Sequence, residues 1–396
     1  MRPALARALE FAARALERGG RRARLEPEAL LAGARRRTGL SDFGDPAFEL
    51  GLETLCASAR DDAGLTPAGR LIFEQSVLRQ LVNRLTWRHG RTMQRREFHT
   101  PLQPPIMVVG PPRSGTTFLH RLLALDPRHR GVPAYAVFFP FPWQKAAARR
   151  RRARANLALI AAAAPDLATK HEMHPDAAEE CTLVMAQSFE SAAWWGIGPV
   201  YGYMEWLRAQ DATRAYDEYA SFLPLFQSAD RERRLVLKSP LHVGHIDQLQ
   251  RIAPRAVLIQ THRDPAAVVS SLTSLALSFH RLVSEPDPSR LARFHLGLQA
   301  EVMRRNLAQR AAHPGRVCDV FYPDLVADPA GTLRAVYEQI GLDWPAGMDA
   351  RIDAYRRRDR HELRARHRHS ANEFGIDTAQ VRRAFADYLD MVGTRL

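Results

Sequence analysis

Apolar residues in the first hundred positions recur with a helical period. Leu5, Leu9, Ala12 and Leu16 make one stripe, and Leu71, Leu78, Leu81 and Leu85 another; such spacing gathers side chains on a single helix face. Between them, Ser41-Asp-Phe-Gly-Asp-Pro46 reads as a turn followed by a helix start with the proline just inside it. Beyond residue 100 the pattern changes. Four short apolar runs, Ile106–Val109, Arg234–Lys238, Ala256–His262 and Val317–Tyr322, suit strands buried on both faces of a parallel sheet. A helical pattern follows each. In the third unit Asp264 stands at the N-cap and Pro265 at the first helical position of a helix to about Phe279. The expected fold class is α/β: a three-layer parallel sheet flanked by helices. An all-helical extension over residues 1–100 would pack on the same domain, and residues 101–396 would form the α/β domain with a helical insertion at about 143–228.

Composition narrows the picture. With 396 residues, 46% of them hydrophobic, the chain can bury a sizeable core. No apolar run approaches the ~20 residues that span a bilayer, and the charged first stretch does not resemble a secretory signal. Three scattered cysteines without a CxxC indicate neither a disulfide framework nor a zinc site. A cytoplasmic protein is expected. The net charge of +14 is dispersed over short clusters, Arg21–Arg24, Arg35–Arg37, Arg149–Arg152 and Arg356–Arg358. They lack the interleaved aromatics of a nucleic-acid surface, so nucleic acid is not an expected partner. Solvated helix faces account for most of the charge, and contact with an anionic membrane surface stays open. Only Lys145, Lys170 and Lys238 are lysine among 57 basic residues. In so arginine-rich a chain, a lysine marks a place where a compact ammonium is needed and a guanidinium fork does not serve.

The chemistry gathers at Val108-Val-Gly-Pro-Pro-Arg-Ser-Gly-Thr-Thr-Phe118. Gly110 and Gly115 have the five-residue spacing of a phosphate-binding loop between a strand and a helix, but Thr116 and Thr117 replace the lysine and Ser/Thr that serve a magnesium nucleoside triphosphate. Backbone N–H groups and the helix dipole still favour a phosphate there. Arg113 supplies one cation, and Ser114, Thr116 and Thr117 supply hydroxyls. The set suits a less charged phosphate bearing a transferable group, and the sheet is then P-loop-like.

The run Pro111-Pro-Arg-Ser-Gly-Thr-Thr-Phe-Leu-His-Arg-Leu-Leu-Ala-Leu-Asp-Pro127 resembles the 5′-phosphosulfate loop of sulfotransferases that use 3′-phosphoadenylyl sulfate (PAPS), particularly the bacterial branch related to tyrosylprotein sulfotransferases. Further segments agree in order along nearly the whole chain: Asp42–Pro46, His174–Cys181, Leu235–Ser271, Phe321–Pro329, and His367–Ser370 with Phe374-Gly375. The resemblance implies a P-loop-like sulfotransferase with PAPS as donor, adenosine 3′,5′-bisphosphate (PAP) as product, and no metal. It assigns Arg263 and Ser271, eight residues apart, to the 3′-phosphate. Lys238 would face the bridging oxygen and sulfate, Arg113 would share that role, and Gly115, Thr116 and Thr117 would cradle the 5′ end with Ser114. Tyr322 matches an adenine-contacting aromatic, and Arg366 or Arg368 a late basic clasp on the 3′-phosphate.

The catalytic base stays open. Relatives carry a glutamate about two dozen residues after the loop arginine, where this chain reads Ala134-Tyr-Ala-Val-Phe-Phe-Pro140. Glu180 and His242 are the first candidates, Glu179 follows, and His174 is last. Glu179 and Glu180 would open an apolar helix. The acceptor is expected to be a small-molecule or lipid-linked hydroxyl or amine, with Trp194, Trp195, Tyr201, Tyr203 and Trp206 either lining its pocket or packing the core. Two other readings remain: a P-loop kinase or nucleotidase, and a non-catalytic basic module that binds polyanions. His171-Glu-Met-His174 has the wrong spacing for a helical metal site.

Overall fold

The protein is described by a computed structural model covering residues 4–20, 23–170, 173–358 and 374–396. Four helices come first: α1 (Ala4–Arg18), α2 (Pro27–Thr38), α3 (Phe48–Asp61) and α4 (Pro67–Thr92). The alternating part then runs β1 (Ile106–Val109), α5 (Thr116–Leu123), β2 (His129–Gly131) and α6 (Ala134–Phe138). The insertion carries α7 (Ala146–Ala163), α8 (Pro165–Lys170), α9 (Tyr201–Arg208), α10 (Thr213–Ala220) and α11 (Phe222–Gln227). After it come β3 (Arg234–Lys238), α12 (Ile246–Ile252), β4 (Val257–His262), α13 (Pro265–His280) and α14 (Pro288–Ala312). The remainder is β5 (Val317–Phe321), α15 (Tyr322–Ala327), α16 (Pro329–Gln339), α17 (Met348–Arg358), α18 (Thr378–Ala384) and α19 (Ala386–Val392).

The five strands are parallel in the order β2-β3-β1-β4-β5. With β1 central, the chain builds β2 and β3 on one side before crossing to β4 and β5 on the other. The carboxyl edge at such a crossing is where open α/β sheets bind ligands. Pleating divides the apolar runs between two cores. Ile106, Val108, Val236 and Ile259 pack with α5 and α16 residues such as Leu119, Leu122 and Leu333. Met107, Val109, Leu235, Leu237 and Leu258 face α10 and α11, meeting Tyr216, Tyr219 and Phe222. A third core joins the N-terminal helices to the insertion and to α13 and α14, through Phe48, Phe73, Leu81, Trp194 and Leu291.

Helix punctuation explains several boundaries. The Asp264 side chain accepts from the Ala267 N–H with Pro265 at the first position, and α13 runs to His280, one residue past the expectation. Thr66 caps α4 by accepting from Gly69 N–H, again followed by proline. Other expectations change. Pro46 precedes its helix, which starts at Phe48, because Pro46 belongs to the turn whose carbonyl accepts from Glu49 N–H. Strand β2 has no sequence signal, since His129-Arg-Gly131 is short and polar and is recruited by pairing with β3. The segment after Glu180 is a 3₁₀ turn, Cys181–Ser188, in place of the expected helix. In α1 the stripe is only half used: Leu5 and Leu9 are half-buried, whereas Ala12 and Leu16 are exposed, as is the neighbouring Phe11. No helix among the described residues is long and apolar enough to cross a membrane.

Candidate active site

The loop between β1 and α5 folds through residues with positive φ: Gly110 (+141°), Arg113 (+68°) and Gly115 (+91°). At Gly115 a Cβ would stand 2.8 Å from the Tyr322 ring. The glycine therefore serves both the left-handed turn and the close approach of the β5–α15 junction. Ser114 is fully buried; its hydroxyl donates to the Pro111 carbonyl at 2.6 Å and meets the Thr261 hydroxyl. The expected phosphate donor thus turns inward and shapes the loop. Thr116 and Thr117 begin α5 and line the cleft above it.

Residues 57 to 158 positions away hydrogen-bond to Arg113 of this loop. Arg113 donates through Nε to Ser271 Oγ at 3.0 Å and through Nη1 to the Lys170 carbonyl at 2.9 Å. Arg263 donates to the Arg113 carbonyl at 2.7 Å, and its guanidinium lies 4.2 Å from the centre of the Tyr322 ring. Arg113, Arg263, Ser271 and Tyr322 thus form one cluster at the carboxyl edge. The late segment with Arg366 and Arg368, and also His171 and Glu172, lie outside the described residues. Lys170, one of the three lysines, was missed as a site residue although its rarity was a signal. It lines the cleft with its ammonium donating to Ser278 Oγ at 2.7 Å and to Asp166 at 3.3 Å.

Lys238 ends β3 in the register opposite Val108 and is 1% exposed. Its ammonium donates to Glu180 Oε1 at 3.0 Å, and Glu180 lines the cleft. An ammonium this buried needs a carboxylate, and Glu180 supplies one. Glu179 also lines the cleft and accepts from the Glu180 N–H at 2.9 Å. His242 stands elsewhere. Fully buried, it meets the Tyr216 hydroxyl at 2.9 Å and Cys181 Sγ at 3.5 Å, and it is absent from the cleft wall. Burial pushes its imidazole down to about 3, so it stays neutral. The four-residue spacing from Lys238 suggested proximity, but the turn Pro240–His242 folds the side chain behind the strand. His174 is exposed, its Nδ1 accepting from Asp176 N–H.

Arg113, Thr116, Thr117, Lys170, Glu179, Glu180, Arg263 and Tyr322 open onto one cavity of about 510 Å³, with Lys238 set behind Glu180 and outside its wall. From the phosphate loop it extends past Glu180 into walls of Leu157, Ile160, Leu272, Leu275 and Phe279. Of the five insertion aromatics only Trp195 lines it. Trp194 and Tyr203 are core residues, 1% and 0% exposed, while Tyr201 and Trp206 pack against the same core. The Leu272, Leu275 and Phe279 stripe follows Ser271 at helical spacing; it was legible as an apolar face, but not as a pocket wall. Arg79 of α4 was also missed.

A strand-edge loop with P-loop spacing but without the usual lysine, clustered with Arg113 and Arg263 and set near the Lys238–Glu180 pair, belongs to a P-loop-like α/β fold. Residues 104–346 match the model of the sulfotransferase family, and the chain belongs to that family. It is 27% identical over 255 residues to the omega-hydroxy-beta-dihydromenaquinone-9 sulfotransferase Stf3 of Mycobacterium bovis and equally to that of Mycobacterium tuberculosis, covering 60% of this chain and 63% of theirs. The sulfotransferase STF1 of Mycobacterium tuberculosis H37Rv superposes with a TM-score of 0.77 at 28% identity, over 91% of this chain and 98% of that one. STF9 of Mycobacterium avium shares the fold, with a TM-score of 0.79 at 24% identity over 92% and 96% of the two chains.

Proposed function

We propose that this protein transfers a sulfuryl group from PAPS to a hydroxyl or amine of an apolar, lipid-like acceptor. The carrying observation is that the phosphate loop, Glu180 and the apolar walls share one cleft, with Lys238 buried behind Glu180 and donating to it at 3.0 Å. The resident groups suit the nucleotide. The turn at Gly115 leaves backbone N–H groups at the start of α5, and Arg263 with Ser271 offers donors for a 3′-phosphate, with the Tyr322 ring alongside. The bound donor would supply the sulfuryl group and an oxygen leaving group on its 5′-phosphate. Glu180 would accept the proton of the attacking hydroxyl as its oxygen forms the new S–O bond. Lys238 and Arg113 would stabilise the charge that develops on the bridging oxygen as the old S–O bond breaks. The acceptor named for the mycobacterial relative, a dihydromenaquinone with an omega-hydroxyl, agrees with an apolar cleft ending at a carboxylate. Peripheral contact with a membrane and a cytoplasmic location accord with this reading.

The test is calorimetric titration with PAP, with magnesium-ATP, and with an Arg263→Ala variant. PAP should bind well and ATP weakly, and the variant should lose roughly 10- to 100-fold, the worth of one charged hydrogen-bonding group. Better binding of magnesium-ATP would favour the kinase alternative. Salt-sensitive binding to any polyanion without preference for PAP would favour the non-catalytic one.

A further inference from the structure

Helix α4 carries several arginines, and most have an evident structural role. Arg70 pairs with Glu17 at 2.7 Å and Arg88 with Asp42 at 2.9 Å. Arg84, 1% exposed, pairs with Glu218 at 2.7 Å, donates to the Gln187 carbonyl and stacks 4.1 Å from the Phe48 ring. Arg79 differs. It lines the cleft beside Asn156, Leu157 and Ile160 of α7. Among the described residues its Nε, like that of Arg84, is sealed from solvent without a hydrogen-bond partner, but Arg79 has no counterpart there to the Arg84–Glu218 ion pair. Burial lowers its affinity for its proton, and the neighbouring charge that acts on it is a second cation, Arg152. The two acids of the same cleft are engaged elsewhere, Glu180 on Lys238 and Glu179 on the Glu180 N–H. Arg79 is half-buried on the cleft wall, and a guanidinium partly withdrawn from water without an anion carries an uncompensated desolvation cost.

We propose that Arg79 receives a negatively charged group of the acceptor, a carboxylate or a phosphate, so that the acceptor is an acidic amphiphile. Its apolar body lies along Leu157, Ile160, Leu272 and Leu275, its acidic group rests on Arg79, and its reacting hydroxyl or amine reaches Glu180. This rests on the transfer reading above and adds what that reading leaves open, the chemical class of the acceptor. The guanidinium fork suits planar or tetrahedral oxyanions with two oxygens presented together.

The test fills the nucleotide end with PAP and titrates decanoate, decyl phosphate and decanol, below their micellar concentrations, into the wild type, Arg79→Met and Arg79→Lys, followed by calorimetry. In the wild type at least one anion should bind about 10-fold or more tightly than decanol, the worth of a charged hydrogen bond. The preference should fall to about 2-fold in Arg79→Met and survive in part in Arg79→Lys, with the Kd for PAP unchanged in both. Ligand-free Arg79→Met should melt no lower than the wild type, because an unpaired cation has been removed. Equal binding of anions and decanol by the wild type, or a preference that survives in Arg79→Met, overturns the proposal. So does a large fall in the Tm of Arg79→Met, which would make Arg79 a structural cation. Failure of the wild type to bind PAP, with the anion preference intact, would count against the transfer reading and leave the Arg79 site standing.

Discussion

Replacing Glu180 by glutamine tests the base assignment most directly. Glutamine keeps the length of the side chain and an oxygen that accepts from Lys238, now 3.0 Å from Glu180 Oε1, but it cannot take a proton. General-base catalysis contributes about 10²- to 10⁴-fold, so the barrier should rise by about 3–5 kcal/mol. The stability cost should be smaller. Breaking a fully buried ion pair costs about 3–5 kcal/mol, but Glu180 is 25% exposed and the glutamine retains one hydrogen bond, which reduces the loss to about 1–2 kcal/mol. The assay is single-turnover release of PAP with a long-chain alcohol or quinol acceptor, alongside the Kd for PAP and a thermal melt. The variant should bind PAP within about threefold of wild type and melt a few degrees lower, while turning over at least 100-fold more slowly. His242→Asn is the contrast: it removes a buried partner of Tyr216 and should lower stability while leaving turnover within a few-fold. A folded, PAP-binding Glu180→Gln protein within tenfold of wild-type rate would refute the assignment. A rate lost only in His242→Asn would refute it more directly.

Two further outcomes follow from the geometry. Gly115→Ala places a Cβ 2.8 Å from the Tyr322 ring at a φ of +91°, and should weaken PAP binding at least tenfold by calorimetry. Gly341→Ala, at a φ of +67° with open space around it, should show only the backbone cost of about 1–2 kcal/mol, with normal nucleotide binding; equal effects on PAP would discredit the contact argument. For Asp319, burial alone would raise the carboxyl, but hydrogen bonds from His262 and Arg310 outweigh it and hold it down to about 2. A depressed carboxylate stabilises the fold above its unfolded value near 4 and loses that contribution as pH falls through about 2, on the order of 2 kcal/mol in all. Urea unfolding should therefore find Asp319→Asn less stable than wild type at pH 5, with the gap closing towards pH 2; a gap constant with pH would disprove the linkage.

The sequence by itself determined the parts of this protein that depend on local chemistry. Short apolar runs specified β1, β3, β4 and β5, because a strand buried on both faces must be apolar throughout. Asp264-Pro265 fixed the start of α13, because a cap and a preset φ act within a few residues. Gly110, Gly115 and the threonines after them gave the loop a P-loop-like frame without its lysine, and the family resemblance, among three scarce lysines, pointed to Lys238. Only the tertiary structure decided which of those residues meet. Strand β2 exists because β3 offers it a pairing edge, which no property of His129-Arg-Gly131 announces. The proposal that Glu180 and not His242 is the base rests on a short turn that buries the imidazole and on a crossing from the insertion that sets Glu180 on Lys238. Arg79 looks like any other arginine of α4 until packing gives Arg70, Arg84 and Arg88 their acids and leaves it none among the described residues. Charge and periodicity are written locally, whereas the cost of burying a charge depends on what the rest of the chain places beside it.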